Sequence, residues 1–356
     1  MKICVYAISK NEEKFVKRWV NSMKEADEIY VLDTGSTDKT VQLLKELNVN
    51  VTTKKISPWR FDKARNYSLS LVPKDTDICV CTDLDEVFTP GWREKLETAW
   101  TKNTTRARYN YNWSFDENNH PQVNFYIEKI HTRKNYTWTH PVHEVLTYKK
   151  KNEKIITIDN ITLNHYPDPT KSRSNYLPLL ELSVKENPKD DRNMHYLGRE
   201  YMYYGKWKKS IETLKKHLSL ETATWKDERA ASMRFISRCY KELKDYTNAK
   251  VWLDKAIEEA PYLRDAYVER GILEYELKNY QEIEKYLLKA LTITEHKKSY
   301  INEPFSWNET IYDLLSLSYY YQNKYNLSLY FINEALKRNP NDKRLINNKY
   351  LIQKKN

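Results

Sequence analysis

Two aspartates separated by one residue are the strongest candidates for chemistry. Asp83 and Asp85 directly follow Ile78–Thr82, an apolar β-forming run that predicts a strand. At the carboxyl end of a parallel strand, such carboxylates project into the crevice where α/β sheets bind ligands. Two hard anionic oxygens at this spacing suit Mg²⁺ or Mn²⁺, which bridge to a diphosphate. Charged loops often contain this spacing, so the pair indicates a metal site only together with its context.

A second acidic residue stands at another predicted strand end, in the segment DTGSTDKT at 33–40. Asp33 is placed to hydrogen-bond a base or a ribose, and Gly35 permits the tight turn after it. Ser36 and Asp38 are types that cap the helix predicted to follow. We therefore expect Asp33 to be functional and Asp38 to be mainly structural.

A basic segment, WRFDKARN at 59–66, offers a phosphate contact. An arginine on a helix after a loop, Arg65, can clamp a phosphate with its bidentate fork, and Asn66 can add an amide contact. The alternative is a structural arginine, either solvated or paired with Asp62. Both interpretations stay open at this point.

A fourth segment, WTHPVHE at 138–144, supplies an imidazole beside a carboxylate. Strand alternation would place Glu144 opposite His143, and imidazole is a competent third ligand for Mn²⁺. The alternative is an ordinary core or surface histidine.

The elements that must position these residues change character near residue 170. Before about 165, short β-rich runs alternate with amphipathic helices in the order β-α-β-α-β, which predicts a mostly parallel sheet with helices on its faces. From Arg106 to His165, alternating segments rich in Tyr, Trp, Thr and Val predict an antiparallel extension. Cys79 and Cys81 fall on the last parallel strand, and we expect buried thiols there rather than half of a metal site.

The chain after about 170 is predicted to be helical and repetitive. The tyrosine, small-residue, leucine and alanine spacing of 246–256 returns 34 residues later at 280–290, and again at 325–335. A helix–turn–helix unit of this length, with small residues at fixed contacts, resembles the tetratricopeptide repeat. We predict four units over about 191–340, with a leading helix at 171–187 and extra residues near 225 and 300. The domains are accordingly 1–170 and 171–356.

Glycine is scarce, with five residues in 356, and no two have the spacing of a phosphate-binding glycine loop. P-loop ATPases, kinases with a glycine-rich loop and dinucleotide dehydrogenases are therefore excluded. The apolar run at 3–8 is too short for a signal peptide, and no segment approaches 18 apolar residues. With only four cysteines, we expect a cytoplasmic protein without a membrane span.

Together these segments resemble the inverting family 2 glycosyltransferases of the GT-A fold, in the branch with tetratricopeptide repeats behind the catalytic domain. The architecture is similar to that of bacterial peptide S-glycosyltransferases. The resemblance rests on five motifs: Asn11-Glu12, Asp33 with Gly-Ser-Thr-Asp, the Trp-x-Phe-x-x-Ala-Arg-Asn run, Asp83-x-Asp85 followed by Glu86, and Val-His-Glu at 142–144.

The resemblance implies a nucleotide-sugar donor, most often a UDP-sugar, and a Mn²⁺ or Mg²⁺ cofactor. It implies the following roles: Asp33 contacts uridine, Arg65 the pyrophosphate, Asp83 the ribose or metal, and Asp85 and His143 the metal. Asn11, Asn66 and Arg133 are further residues expected to bind the nucleotide sugar. Two positions depart from the family pattern: the usual Arg-x-Phe-Arg segment reads Lys-Ile-His-Thr-Arg at 129–133, and Pro141 replaces a glycine.

Glycosyl transfer breaks a C–O bond to diphosphate through an oxocarbenium-like state, so negative charge gathers on the leaving group. A divalent metal held by Asp85, together with arginine, would stabilise that charge. The acceptor needs a carboxylate base. The candidates, which the sequence does not rank, are Glu86, Asp116, Glu117 and Glu144.

We expect the repeats to present a macromolecular acceptor, a polypeptide or a glycan, or to form a homodimer. An alternative hypothesis is that the acceptor is a modified DNA base. It is motivated by the last 20 residues, which carry seven Lys or Arg against one Asp. Two other classes remain: a non-catalytic repeat scaffold, and a nucleotidyltransferase, which generally needs the glycine loop that is missing here.

Overall fold

A computed structural model describes residues 1–170 and 176–355 of the chain. The chain divides into two compact units, the first formed by 1–183 with 298–300 and the second by the remaining residues from 184 onward. Of the leading helix predicted at 171–187, residues 171–175 lie outside the described residues. The rest is helical as Tyr176–Glu186, helix α5, which crosses the division between the units.

The first unit alternates strands and helices before it becomes strand-rich. Its elements in chain order are β1 Ile3–Ser9, α1 Glu13–Met23, β2 Glu28–Asp33, α2 Thr40–Glu46, β3 Asn50–Thr53, α3 Phe61–Leu71, β4 Ile78–Cys81, β5 Glu86–Phe88, α4 Trp92–Ala99, β6 Arg106–Phe115, β7 Pro121–Thr132, β8 Tyr136–Thr139, β9 Val145–Tyr148 and β10 Ile155–His165.

Eight strands form one mixed sheet in the order β3-β2-β1-β4-β7-β6-β10-β5, and β8 and β9 form a separate two-stranded sheet. Strands β1 to β4 are parallel, with Ser9 beside Asp33 in the register of β1 and β2. The expected antiparallel extension is present where β7 pairs with β4 and β6. It was wrong for β10, which runs parallel to β6 because the chain crosses over through β8 and β9 before it returns.

Side-chain alternation builds a core on each face of this sheet, as expected for strands covered on both sides. On β1, Ile3, Val5 and Ala7 face one core, which includes the buried residues of α1. Cys4 and Tyr6 face a second core, which includes Leu69 of α3 and residues of β8 and β9. Cys79 and Cys81 join this second core as free, fully buried thiols, as predicted.

The carboxyl ends of β1, β2 and β4 lie at one edge of the sheet, which we call the carboxyl edge. The chain leaves β4 through residues 82–85 and enters β5 at Glu86 after one turn, closed by a hydrogen bond from the Glu86 N–H to the Asp83 carbonyl of 3.1 Å. Strand β5 pairs with β10. In the sheet order β10 lies three positions from β4, and β5 lies four positions from it. This turn carries Asp83 and Asp85, two of the three predicted metal ligands.

The second unit consists of helical hairpins in the predicted number. Its helices are α6 Asp191–Tyr203, α7 Trp207–Ser219, α8 Lys226–Glu242, α9 Tyr246–Glu259, α10 Arg264–Glu276, α11 Tyr280–Leu291, α12 Thr310–Tyr321, α13 Tyr325–Arg338 and α14 Lys343–Gln353, with a 3₁₀ turn at Pro304–Ser306. The pairs α6–α7, α8–α9, α10–α11 and α12–α13 are the four repeat units. No helix within the described residues is long and apolar enough to cross a bilayer.

Small residues sit where the two helices of a unit cross. Gly198 packs against Leu214 in the first unit, and Gly271 packs against Leu287 in the third. At the matching positions, the Ser237 hydroxyl donates to the Ala249 carbonyl and the Ser316 hydroxyl donates to the Ser328 carbonyl. The predicted small-residue pattern is therefore a packing requirement of each hairpin.

A buried histidine makes the stability of the first unit depend on pH. His131 is fully buried, donates from Nδ1 to the Thr132 carbonyl and accepts from the Tyr6 hydroxyl at 2.8 Å. Burial lowers the pKa of His131 from 6.5 to about 3. Below about pH 6.5 the histidine therefore binds a proton in the unfolded chain but stays neutral in the folded chain. The free energy of unfolding falls from that pH toward pH 3, by up to about 1.4 kcal/mol per pH unit.

We predict that His131→Gln flattens the pH dependence of the unfolding free energy between about pH 6.5 and pH 4. Denaturant unfolding at several pH values measures the slope. His120→Gln, which changes a histidine side chain that is 76% exposed, is the control and should keep the wild-type slope. Equal slopes for the wild type and His131→Gln would contradict the assignment.

A second prediction concerns Gly198→Ala. The new Cβ would lie 2.4 Å from Cδ2 and 2.5 Å from Cγ of Leu214, so the Leu214 side chain or one of the helices must shift. We expect a loss of about 1–3 kcal/mol in the free energy of unfolding, as for other overpacked cores. In the double variant with Leu214→Ala the two losses should be less than additive; strict additivity, or wild-type stability of Gly198→Ala, would argue against the contact.

Candidate functional site

The centre of the site is an ion-pair cluster around the buried Arg65 at the carboxyl edge. Arg65 of α3 donates from Nη2 to Asp83 Oδ1 and from Nε to Glu144 Oε1, both at 2.7 Å. Lys129 of β7 lies 3.1 Å from both Asp83 Oδ2 and Glu86 Oε1. Burial opposes ionisation of Asp83, but the two cations outweigh it and hold the pKa of Asp83 well below its ordinary range. Asp83 is therefore a permanent carboxylate.

Glu86 stands behind Asp83 and is almost completely buried. Its carboxylate accepts from the Tyr111 hydroxyl at 2.8 Å, from Lys129, and from the backbone N–H of Asp83 at 2.8 Å. Burial raises the pKa of Glu86 above 4.5, although Lys129 opposes this shift. Three donors already point at the two oxygens, so this predicted base positions Lys129 and Asp83 in the structure.

Asp85 faces a histidine that the sequence did not single out. His165, the last residue of β10, brings Nε2 to 3.4 Å from Asp85 Oδ2. Its ring stacks on Trp113 at 4.4 Å between centroids, and Nδ1 lies 3.1 Å from the Trp113 carbonyl. A carbonyl oxygen only accepts, so Nδ1 carries the hydrogen and Nε2 is directed at Asp85. Burial lowers the pKa of His165, but Asp85 outweighs it and the net shift is upward.

His143 and Glu144 lie in the loop between β8 and β9, so strand alternation does not apply to them. His140 and His143 both have positive φ, 77° and 49°, which turns the chain sharply at this point. The His143 ring contacts Tyr176 at 5.8 Å between centroids. Asp83, Asp85 and His143 do not place three ligand atoms within 4.8 Å of one another in the described part of the chain.

Asp33 and Asn11 hold the neighbouring loop together. Asp33 is fully buried and accepts from the backbone N–H groups of Gly35 and Ser36, both at 3.0 Å, and from the Ser36 hydroxyl. Asn11 receives the Thr37 N–H on Oδ1 at 2.7 Å. The two side chains therefore shape the loop at 34–37 in this structure.

Two residues predicted to bind the nucleotide sugar, Asn66 and Arg133, have other partners here. Asn66 donates to the Trp138 carbonyl at 2.8 Å and accepts the Trp138 N–H at 2.9 Å, which fixes β8 to α3. Arg133 follows the end of β7 beside the start of β4, and its Nε donates to the Val72 carbonyl at 3.1 Å. The antiparallel course of β7 therefore takes Arg133 to the end of the sheet opposite the Asp83 cluster.

The remaining candidate bases lie in the turn between β6 and β7. Asp116 accepts from the backbone N–H groups of His120 and Asn118, at 2.7 and 2.9 Å, and these bonds lower its pKa. Glu117 is exposed beside it. Strand β6 is parallel to β4 through the intervening β7, so this turn belongs to the carboxyl edge.

Charge at the cluster favours a bound cation. Four carboxylates, of Asp83, Asp85, Glu86 and Glu144, face two cations, Arg65 and Lys129, which leaves a formal charge of −2 when His165 is neutral. Asp85 and His165 offer oxygen and nitrogen ligands side by side. This pair, with oxygens of a diphosphate and water, fits the coordination that Mg²⁺ and Mn²⁺ adopt.

His165 and Lys129 are the residues that sequence reasoning missed. His165 ends the last predicted strand, so its position at a strand end was a usable signal. Lys129 shares a β7 segment with buried Ile130 and His131, and alternation alone would not place it beside Asp83. Both depend on pairings between distant segments.

A mixed sheet with acidic residues at its carboxyl edge, followed by helical hairpins, defines the architecture of this chain. Residues 4–158 match the family Glycosyl transferase family 2, and residues 235–262 match Tetratricopeptide repeat. The predicted fold class is confirmed: a mixed sheet of GT-A-like type, in the part of the chain that matches family 2, precedes a helical array that includes the tetratricopeptide-repeat match.

Similar proteins include an uncharacterized glycosyltransferase of Rickettsia typhi, 33% identical over 98 residues, and one of Rickettsia bellii, 44% identical over 98 residues. Each alignment covers 27% of this chain and 32% of the relative, so the chain spans about a third of these relatives. The crystal structure of MamA is 19% identical with a TM-score of 0.39, covering 50% of this chain and 99% of MamA.

We predict that Lys129→Met destabilises the first unit by on the order of 3 kcal/mol, because Asp83 and Glu86 lose a shared buried counter-charge. Thermal and denaturant unfolding measure the loss. Lys134→Met, at an exposed position five residues further, is the matched control and should stay within about 0.5 kcal/mol of the wild type. A Lys129→Met protein as stable as the control would show that the cluster does not need this cation.

Proposed function

We propose that the chain is a metal-dependent glycosyltransferase that moves a sugar from a UDP-sugar to a macromolecular acceptor with inversion. The observation that supports it best is the Asp85–His165 pair beside the Asp83 cluster, at the carboxyl edge of the family 2 domain. The aligned relatives carry the same class of name, which agrees with this enzyme class.

The residues present fit a divalent cation. The hydrogen on His165 Nδ1 is committed to the Trp113 carbonyl, which leaves the Nε2 lone pair on the side of Asp85. Asp85 and His165 would hold Mn²⁺ or Mg²⁺, and the ion would supply positive charge to the departing diphosphate. Asp83 stays on the other side of the turn, held by Arg65 and Lys129, where it is available to a ribose hydroxyl.

The side chains of the cluster prepare the site before substrate arrives. Arg65 and Lys129 fix the Asp83 carboxylate in one orientation and keep it ionised, so it is a ready hydrogen-bond acceptor. Because these groups are already ordered, little reorganisation is needed at the moment of reaction. Direct attack by the acceptor, without an enzyme nucleophile, gives inversion.

The structure separates the candidate bases by their surroundings. Glu86 already accepts three hydrogen bonds, and Glu144 is engaged by Arg65. Asp116 and Glu117 lie in the β6–β7 turn, and the lowered pKa of Asp116 makes it a weak base. We therefore propose Glu117, the exposed member of the four, as the group that takes the acceptor proton.

We propose that the repeat array binds the acceptor, which we take to be a polypeptide. Exposed aromatic side chains on its helices and on the turns between them suit such contacts, namely Tyr203, Tyr204, Trp225, Tyr262, Tyr321, Tyr330 and Tyr350. The DNA variant is less favoured, because Lys337 and Arg338 both pair with Glu334, and Arg344 pairs with Asp313 at 2.9 Å. Steep loss of DNA affinity with salt would revive it.

The first test of this proposal needs no acceptor. Sugar nucleotides are screened for slow hydrolysis by the full chain, read as released nucleoside diphosphate. We expect UDP release from at least one UDP-sugar and its loss in excess EDTA. No release or binding with any sugar nucleotide would contradict the enzyme, whereas full activity in EDTA would contradict only the metal.

Substitutions of single residues test which side chains bind the metal ion. Asp85→Asn keeps the shape of the side chain but weakens coordination, and we expect a loss of on the order of 100-fold in rate. His165→Ala should approach that loss, and His143→Ala should cost much less. Glu94→Gln, at an exposed position on α4, is the control and should retain the wild-type rate. A larger loss for His143→Ala than for His165→Ala would restore the ligand predicted from the sequence.

A further inference from the structure

Three helices of the second unit bring metal-ligand atoms together far along the chain from the carboxyl-edge cluster. Asp191 is the first residue of α6, His217 lies in the last turn of α7, and Glu228 lies in the first turn of α8. One ligand atom from each lies within 4.8 Å of the others, and His217 and Glu228 are buried. No other set of three such residues among those described meets this distance.

The His217 ring is oriented by a buried hydroxyl. Its Nδ1 lies 3.0 Å from Ser232 Oγ, which is also 2.7 Å from His195 Nδ1. A hydroxyl has one hydrogen, so Ser232 donates to one imidazole and accepts from the other. When it accepts from His217 and donates to His195, His217 Nε2 carries a lone pair. This is the tautomer that ligates a metal.

The second nitrogen of His217 is the observation that points to a ligand. His217 is fully buried, and its Nε2 makes no hydrogen bond to any described residue. Glu228 Oε1 lies 3.4 Å from this atom. A buried ring nitrogen beside the Glu228 carboxylate, with its other nitrogen held by a hydroxyl and a ligand atom of Asp191 in the same group, is the arrangement that a metal-binding histidine requires.

Charge agrees with a divalent ion. Asp191 and Glu228 are two carboxylates at close range in this group. Arg234 is close enough to act on His195, but its guanidinium is engaged by Glu269 and Glu303. Arg234 is therefore committed to other carboxylates.

We propose that Asp191, His217 and Glu228 bind a divalent transition-metal ion, best matched by Zn²⁺, which ties α6, α7 and α8 together. Zinc accepts histidine nitrogen and carboxylate oxygen at about 2.0–2.2 Å, with water as a fourth ligand. Tetrahedral ligands at that distance are about 3.3 Å apart, so small side-chain shifts from the 4.8 Å spacing complete the site. The ion would join the first repeat unit to the second.

The competing explanation is helix electrostatics. Acids are stabilised in the first turn of a helix, and a protonated histidine is stabilised in the last turn, by the helix dipole. Asp191, Glu228 and His217 occupy such positions in α6, α8 and α7. That explanation accounts for the residue types, but it requires neither the convergence of the three side chains nor the Ser232 hydrogen bond. It also predicts no metal binding.

The test uses the full chain without an affinity tag, in an Asp85→Asn background so that the carboxyl-edge site does not contribute. After chelation and buffer exchange, Zn²⁺ alone is titrated by calorimetry, and bound metal is counted by mass spectrometry. We expect one Zn²⁺ per chain with a Kd below about 10 µM and an increase in Tm of the second unit.

Asp191→Asn removes a ligand at a half-buried position and should still fold. We expect it to weaken Zn²⁺ binding at least about tenfold, and Ser232→Ala to weaken it about tenfold by freeing the His217 tautomer. Glu221→Gln, an exposed acid in the α7–α8 connection, is the control and should bind as before. Absence of bound Zn²⁺, or equal binding by Asp191→Asn and Glu221→Gln, would overturn the proposal.

Discussion

The guanidinium of Arg65 is the interaction on which the candidate site depends. It comes from α3, yet it holds Asp83 beyond β4 and Glu144 in the loop between β8 and β9, so three segments meet at one buried cation. Removing one partner from a buried ion pair costs about 3–5 kcal/mol, because the other charge is left without compensation. Each segment therefore constrains the other two, and the carboxylates are ordered before any ligand binds.

Local patterns predicted the alternation of strands and helices at the start of the chain. On α1, the five buried residues Phe15, Val16, Trp19, Val20 and Met23 recur at helical spacing. Such features depend on neighbours within one turn or one strand, so the sequence expresses them directly. The repeats were predictable for the same reason, since each hairpin closes on itself.

Long-range pairings were not predictable from these patterns. The parallel course of β10 beside β6 brings His165 to Asp85, 80 residues earlier, and no local spacing expresses that proximity. Arg65 matched a phosphate-binding motif, but Asp83 and Glu144 meet its guanidinium in the fold. His143 failed to take its strand position because the chain turns there with positive φ.

The insertion between α11 and α12 is held against the repeat array by ion pairs and hydrogen bonds. Arg234 of α8 pairs with Glu269 of α10 at 2.6 Å and with Glu303 of the insertion at 3.1 Å. Asp265 receives the Glu303 N–H at 2.8 Å and the Ser306 hydroxyl at 3.1 Å. The extra residues predicted near 300 are therefore anchored through buried charge to two repeat units.

The single turn that carries Asp83 and Asp85 determines the curvature of the sheet. In a flat sheet, β4 and β5 would lie four strand spacings apart, about 19 Å. A hydrogen-bonded turn brings its end residues within about 7 Å, and the two residues from Cys81 to Asp83 add about 7 Å. The sheet must therefore curl toward closure at this edge, and the short connection that carries the two aspartates holds it in that shape. Lengthening the connection by even one residue would relax the curl and move β5 out of register with β10.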